Sequence, residues 1–353
     1  MGSGATNFKI LIGGAEISNG NFHSFVVERD VNQPDMCAVV LANQASFYTA
    51  KYKVTDEIEI KVGESNESIY KGQIVGVEPQ FKGGGKTTVL FRGMNKLHLL
   101  LRKRKSVTFT EKKDKDILSQ VLGDAGLTLD WKHEKADGIQ YKHVYQHNQS
   151  DLEFLRTRAG RIGAHVWCVD SKVSVKYPDL QTDSGLSLSL KSAGSGGIGL
   201  KNFSPRMSSA PVVKKVTVKG WNPETKELIT GNASASGSKL GSKDASSAAG
   251  QHGSEETFTV DHPIWSQEEA TALAAGRLME LSLGYITGEA ECAGNSKFDL
   301  GQVISVDVDD GAAKDPFSGK YYVMGVTHRY SAQTQSKDGF TTVLRLARDA
   351  QDK

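Results

Sequence analysis

Apolar and polar residues alternate through the first hundred positions. Phe8-Lys-Ile-Leu-Ile12, Glu57-Ile-Glu-Ile-Lys-Val62, Ser68-Ile-Tyr-Lys-Gly-Gln-Ile-Val75 and Thr87-Thr-Val-Leu-Phe91 are short and rich in β-branched residues, with Gly, Asn and Ser turns between them. A period of two predicts an antiparallel sheet or a small barrel over residues 1–110. The period then lengthens. Asp116 to Ala125 places Ile117, Leu118, Val121 and Leu122 on one face before Gly126, which predicts a helix. Ser150-Asp-Leu-Glu153 spells a capping box, opening a second helix that buries Leu152, Leu155, Ala159 and Ile162 and ends at Gly163. Residues 111–200 therefore read as an α/β middle region.

From Val212 the alternation returns, in Val212 to Val218, Gln302 to Val306, Tyr321 to Met324 and Thr341 to Leu346. One long helix interrupts it. Ser266-Gln-Glu-Glu269 caps its start, Ala270, Leu273, Ala274, Leu278 and Leu281 form its stripe, and Gly284 ends it. The expected architecture is mainly β, with an α/β insertion between two β units of similar size, the second covering 201–353. Two stretches stand apart in composition. Lys191 to Gly199 reads as a linker, and Gly231 to Glu255, rich in Gly, Ser and Ala, reads as a mobile loop too poor in apolar surface to order itself.

Composition narrows the function classes. With 353 residues and 38% hydrophobic positions the chain can bury real cores. Its 43 Lys+Arg balance 41 Asp+Glu, so the overall field gives no reason to expect sequence-specific nucleic-acid binding or an anionic membrane partner. The dense basic run Arg102 to Lys105 reads first as a charged strand edge that resists aggregation, and second as a polyanion contact or channel lining. Cys37, Cys168 and Cys292 are odd in number and widely spaced, which predicts buried, reduced thiols rather than disulfides or a thiolate zinc site. The start Met1-Gly-Ser-Gly-Ala lacks a basic and apolar leader, and no window reaches the roughly 20 apolar residues of a membrane span. Folding in the cytoplasm is expected, with export only inside a particle.

Motifs for chemistry fail individually. Gly194-Ser-Gly-Gly-Ile-Gly199 has dinucleotide-loop spelling, but Pro205 stands where the phosphate-binding helix must run. Gly85-Lys-Thr87 lacks the first glycine of a phosphate loop, Gln80 standing in its place. Asp307, Asp309 and Asp310 before Gly311 miss the alternation of a calcium loop and read as a turn. His143 and His147 lie in a segment that reads as a strand, where residues four apart diverge by more than about 10 Å. No catalytic residue, cofactor or metal is expected, and the chain is read as a non-enzyme.

The middle region carries a resemblance. Gln146, Asn148, Ser150, Asp151, Phe154, Leu155, Arg158, Ala159, Gly163 and Ala164 resemble the pattern Q-x-N-x-S-D-x-x-F-L-x-R-x-A-x-x-x-G-A of late control D baseplate hubs of contractile-tail phages and their VgrG-like relatives. Gly93-Met-Asn-Lys-Leu97, Lys103 to Phe109, Asp124 to Leu127, Ser266 to Leu281, Phe298 to Gln302, Tyr321 to His328 and Gly339 to Thr342 extend the likeness over nearly the whole chain. His147 departs from it, standing where VgrG proteins carry an aromatic ring, and 231–255 follows no family pattern. The resemblance implies two tail-tube-like antiparallel β-barrels per chain and a homotrimer adapting a sixfold tail tube to a threefold spike. It also implies a separate spike protein, a tail-tube protein and other baseplate proteins as partners, with a tape measure or cargo as a further candidate in the channel. The final location would be a virion tail, a tail-like bacteriocin or an extracellular injection particle. Tyr321, His328, Thr341, Arg345 and Arg348, close to the end of the sequence, are then expected on the spike side. Ser150 and Asp151 are expected to be structural. A tail-borne cell-wall hydrolase and a receptor- or carbohydrate-binding tail module are the alternatives.

Overall fold

The computed structural model describes residues 7–84, 87–191, 197–250, 254–260, 262–309, 314–332 and 339–352. Strand makes up 51% and helix 19% of the described residues, so the β-dominated class expected from the alternation is observed.

The first unit contains β1 (Phe8–Ile12), β2 (Ala15–Glu16), β3 (Phe22–Asp30), β4 (Met36–Ala42), the short helix α1 (Phe47–Lys51), β5 (Glu57–Val62), β6 (Glu67–Gln80) and β7 (Thr88–Met94). These strands pair in the order β2-β1-β5-β6-β7-β4-β3. The period of two decides which side chains are buried: Phe8, Ile10 and Ile12 face inward from β1, and Ile58, Ile60 and Val62 from β5. Gly85 and Lys86 lie outside the described residues, but the strands either side of them pair as a hairpin, Gln80 opposite Thr88.

The middle unit starts with β8 (Arg104–Lys113), α2 (Asp114–Gly123) and β9 (Thr128–Lys132). It continues through β10 (Gln140–Ser150), α3 (Asp151–Arg161), β11 (His165–Val169) and β12 (Lys172–Lys176). β8 and β10 form a two-stranded ribbon, and β11-β12-β9 a small sheet. The apolar faces of α2 and α3 close on them around Ile117, Leu118, Leu122, Phe154, Leu155 and Val166.

The remainder comprises β13 (Asp183–Ser189), β14 (Ile198–Met207), β15 (Val213–Asn222), β16 (Glu227–Ser234), β17 (Lys243–Asp244), α4 (Ala245–Ala249) and β18 (Ser254–Thr259). After these come α5 (Gln267–Leu283), β19 (Ile286–Ala293), β20 (Val303–Asp307), β21 (Gly319–Ser331), β22 (Phe340–Arg348) and β23 (Ala350–Gln351). The strands β21-β20-β13-β14-β19-β22 close into a six-stranded barrel, because β22 also pairs with β21. β13 runs parallel to both neighbours, so this barrel is not antiparallel throughout. It also places residues from 183 onward in the second unit, whereas the sequence pattern put that boundary at 200. Beside the barrel, α5 covers one face of the sheet β16-β15-β18, and a Cβ on Gly231 would lie 2.1 Å from the Ala270 backbone carbon. The helix thus sits directly on that strand.

β3 pairs with β21 over seven residues, Asp30 to Ser24 against Gly325 to Ser331, and fuses both units into one thirteen-stranded sheet. Tyr330 and Phe340 of the second unit pack with Phe8, Phe22 and Phe25 of the first, with centroids of 4.4 to 6.0 Å.

Two composition-based expectations need correction. Residues 231–255 contain the end of β16, all of β17 and α4, and the start of β18; 251–253 lie outside the described residues. Order comes from hydrogen bonds to the end of the chain, since β17 pairs with β23 and Ala245 N donates to Asp349 O at 2.8 Å. Of the expected linker, 192–196 lie outside the described residues, and Ile198 and Gly199 already belong to β14.

Candidate functional site

The family-like block is a folding staple built from the ribbon upward. Ser150 ends β10 and caps α3. Its Oγ accepts from Glu153 N at 3.2 Å while Glu153 Oε2 accepts from Ser150 N at 2.9 Å, satisfying two donors that the helix leaves open. Asp151 is buried and accepts from Gln146 Nε2 at 3.0 Å and Lys105 Nζ at 2.7 Å. Asn148 sits in a β-bulge with φ +46°, a conformation Asn tolerates. Its carbonyl accepts from Arg104 Nε at 2.8 Å, and Arg104 also pairs with Glu153 at 3.2 Å. Arg102 approaches His98 Nε2 at 3.0 Å. Three members of the basic run therefore hold neighbouring residues in place. Phe154 stacks on Phe109 at 5.7 Å, and Leu155 is wholly buried.

Arg158 links this block to a buried ionic cluster that no sequence motif indicated. Its Nε meets Asp114 Oδ1 at 2.6 Å, its guanidinium lies 4.3 Å from the Tyr141 ring centroid, and Tyr141 donates to Asp114 Oδ2 at 2.8 Å. One turn on, Arg161 pairs with Glu269 at 3.2 Å, while Glu269 Oε2 accepts from Trp265 N at 2.9 Å at the start of α5. Two guanidiniums and two carboxylates balance, which makes their burial tolerable. Burial pushes the Glu269 carboxyl and the Tyr141 hydroxyl above their usual ranges. Gly163 completes the joint. It adopts φ +71°, and a Cβ there would lie 2.5 Å from Gly276 Cα, so α3 and α5 touch backbone to backbone. Gly276 was missed; the signal was a glycine inside a helix, where it costs about 1 kcal/mol without a packing reason.

The residues expected on the spike side are mostly internal. Tyr321, His328 and Arg348 are fully buried. Tyr321 donates to Phe317 O at 2.8 Å, and His328 Nδ1 lies 3.0 Å from Thr342 Oγ1. Burial holds His328 down to about 3. Arg348 donates to the carbonyls of Leu240, Pro316 and Ser318 and pairs with Asp352. Thr341 is half-buried on β22 opposite Arg329. Arg345 is exposed, yet its guanidinium crosses β21 to pair with Asp30 on β3, passing over Gly325, whose Cβ would stand 2.7 Å from Asp30 Oδ1. Period-two alternation marks such positions as strand but does not say which face is inward.

The remaining candidates are dispersed. Burial pushes Cys37, Cys168 and Cys292 up to about 12, as expected of enclosed thiols. His143 and His147 lie on strand β10. Asp309 accepts from Asp315 N and Ser318 Oγ within a turn, while Asp310 and Gly311 lie outside the described residues. Among the described residues no group of three His, Cys, Asp or Glu is placed to hold a metal, and no helix is long and apolar enough to cross a membrane.

A family model described as the Alg8 N-terminal domain matches residues 3–332. The chain belongs to that family. None of the curated proteins matches the sequence. Among solved structures, this Alg8 N-terminal domain chain shares its fold with a tail protein from Neisseria meningitidis MC58, at 13% identity and TM-score 0.72 over 98% of this chain and 97% of that one. The 43 kDa tail protein of prophage MuSo2 from Shewanella oneidensis is similar at 14% identity and TM-score 0.70, covering 98% and 100%. A component of the Escherichia coli type VI secretion system is similar at 12% identity and TM-score 0.62, covering 96% of this chain and 76% of that one. At these identities the likeness establishes the fold.

Proposed function

We propose that this chain is the structural hub of a contractile-tail or injection-particle baseplate, of the late control D and VgrG-like kind, and does no chemistry of its own. The observation that carries this reading is the fusion of a seven-stranded β unit and a six-stranded barrel into one sheet through β3 and β21, in a fold shared end to end with tail proteins. Three copies of such a doubled unit make a ring of six similar positions with threefold symmetry, the arrangement needed between a sixfold tube and a threefold spike. Partners on this reading are two further copies of the chain, a spike protein, the tail tube and neighbouring baseplate proteins. The motif block supports a mechanical role, since each of its polar members is engaged in capping, ribbon pairing or the ionic joint.

The test is the mass in solution of the chain co-expressed with its spike protein. Three copies per complex are expected; one or two copies refute the hub reading. Wall degradation by the purified chain would favour a tail-borne hydrolase instead, and binding of glycans or whole cells a receptor-binding module.

A further inference from the structure

The two β units repeat one strand arrangement. In the first, β5-β6-β7-β4-β3 lie side by side, and in the second β20-β21-β22-β19-β14 take the same places, every neighbouring pair antiparallel. The irregularities coincide too. β6 and β21 each carry a bulge, between Ile74 and Gly76 and between Val323 and Gly325, where Ile74-Val-Gly-Val77 resembles Val323-Met-Gly-Val326. β3 and β14 carry one between Phe22 and Ser24 and between Leu200 and Asn202. β21 therefore corresponds to β6, and β3 to β14.

Within the chain, β20 pairs with β21 only from Gly319 to Tyr322, and from Gly325 onward the same side of β21 takes β3 of the first unit. The equivalent places are open. β5 pairs with β6 only as far as Gln73, and β13 pairs with β14 only at Ile198 and Gly199. Among the described residues no strand pairs with those sides of β6 from Val75 to Gln80 or of β14 from Leu200 to Met207. Phe81, just past β6, is 70% exposed.

We propose that these two open edges are each other's partners: β14 of one copy pairs antiparallel with β6 of the next, repeating between copies the β3–β21 seam within each. This pairing rests on the hub reading and supplies its ring contact. A head-to-tail contact uses two different edges of each chain, so it passes from copy to copy and can close into a ring. Carrying over the register of β3 on β21 sets Met207 against Val77, Arg206 against Glu78, Pro205 against Pro79 and Phe203 against Phe81. Opposite charges then face each other at Arg206 and Glu78. Phe203, edge-to-face with Tyr321 at 5.6 Å, gains Phe81 just as Phe25 has Tyr330 at 5.8 Å. The prolines fit the same register. Val31 N donates to Met324 O at 3.0 Å and Ala332 N to His23 O at 2.8 Å, so Val27 and His328, the counterparts of Pro205 and Pro79, form a hydrogen-bonded rung. Lacking an N–H, a proline inside a strand is confined to an open edge. With both on one rung the pairing loses that rung alone and orphans no N–H, whereas any shifted register meets the prolines on two rungs, which disfavours it.

The test is disulfide trapping in the full chain co-expressed with its spike protein. Arg206 and Glu78 would occupy a rung without hydrogen bonds, where Cα atoms lie about 4.5 Å apart, within reach of a disulfide. The chain carrying both Glu78→Cys and Arg206→Cys is expected to give covalent trimers on mild oxidation. Glu78→Cys with Asn202→Cys, more than about 10 Å out of register, is expected to give none. Trapping by both pairs alike, or by neither in a complex whose mass holds three copies, overturns the pairing and leaves the hub reading standing. A complex of one or two copies overturns both. Charge reversal gives a second readout, and since Glu78 and Arg206 are exposed neither change disturbs a core. Glu78→Arg or Arg206→Glu alone is expected to weaken association of the copies about tenfold, and the two together to restore it to within about twofold. A double variant no better than the single ones refutes the assigned register.

Discussion

Arg348 offers the sharpest test of how the second unit is held. Its side chain is wholly buried, yet carries a full charge. The guanidinium donates to Leu240 O at 3.3 Å, Pro316 O at 3.2 Å and Ser318 O at 3.0 Å, and its Nη2 meets Asp352 Oδ2 at 3.0 Å. Gly319 makes the room: at φ +146°, a Cβ there would stand 2.3 Å from Arg348 Nη2. Replacing Arg348 with Met keeps the unbranched stem, stops short of the guanidinium carbon and removes every donor. Leaving a buried carbonyl unmatched costs about 1–3 kcal/mol, and two of the three bonds are fully buried. Breaking a buried pair on one side costs about 3–5 kcal/mol by comparison. An expected loss of about 4 kcal/mol follows, read as a lower midpoint in urea with the slope unchanged. Cutting the chain after Leu346 should cost more, because it also removes the buried Asp349 and Ala350 and the β17–β23 pairing. A loss under about 1 kcal/mol for Arg348→Met would refute the argument that this cation organises the barrel end.

Three further outcomes are expected. Ser150→Ala should lower stability by about 1 kcal/mol through loss of the cap, visible in thermal melts, and leave assembled particles active if they form. Gly276→Ala gains about 1 kcal/mol of helix propensity, but its Cβ would lie 2.6 Å from Gly163 N. A net loss of about 2 kcal/mol in denaturant is expected from overpacking, and a stabilised variant would deny the backbone contact between α3 and α5. Burial lowers His328 to about 3 and His165 to about 4, below their unfolded values. Their contribution is present above about pH 6.5 and is lost as pH falls, by about 1.4 kcal/mol per pH unit for each ring. Midpoints measured for His328→Asn should lose less than the parent between pH 6.5 and pH 4.

Much of the local structure was legible because it depends on neighbours along the chain. The period of two located β1, β5, β15 and β22, and the caps at Ser150 and Ser266 marked the starts of α3 and α5 within a residue. In each case the side chain that decides the element sits within a few residues of it. The motif block could likewise be read as structural, since Ser150, Glu153 and Gly163 act on their own helix.

Tertiary structure decided what depends on distant partners. The sequence marks Arg158 as a basic residue on an apolar face, but only folding brings Asp114 and Tyr141 to it. Gly163 reads as a helix stop, while its second role requires Gly276, more than a hundred residues away. The Ser/Gly/Ala composition of 231–255 predicts disorder because that segment buries little of its own surface; Asp349, Asp352 and β23 supply its hydrogen bonds from the far end of the chain. Tyr321, His328 and Arg348 could be placed on strands by alternation, but which face of a closed barrel points inward is fixed by closure itself, through the pairing of β21 with β22.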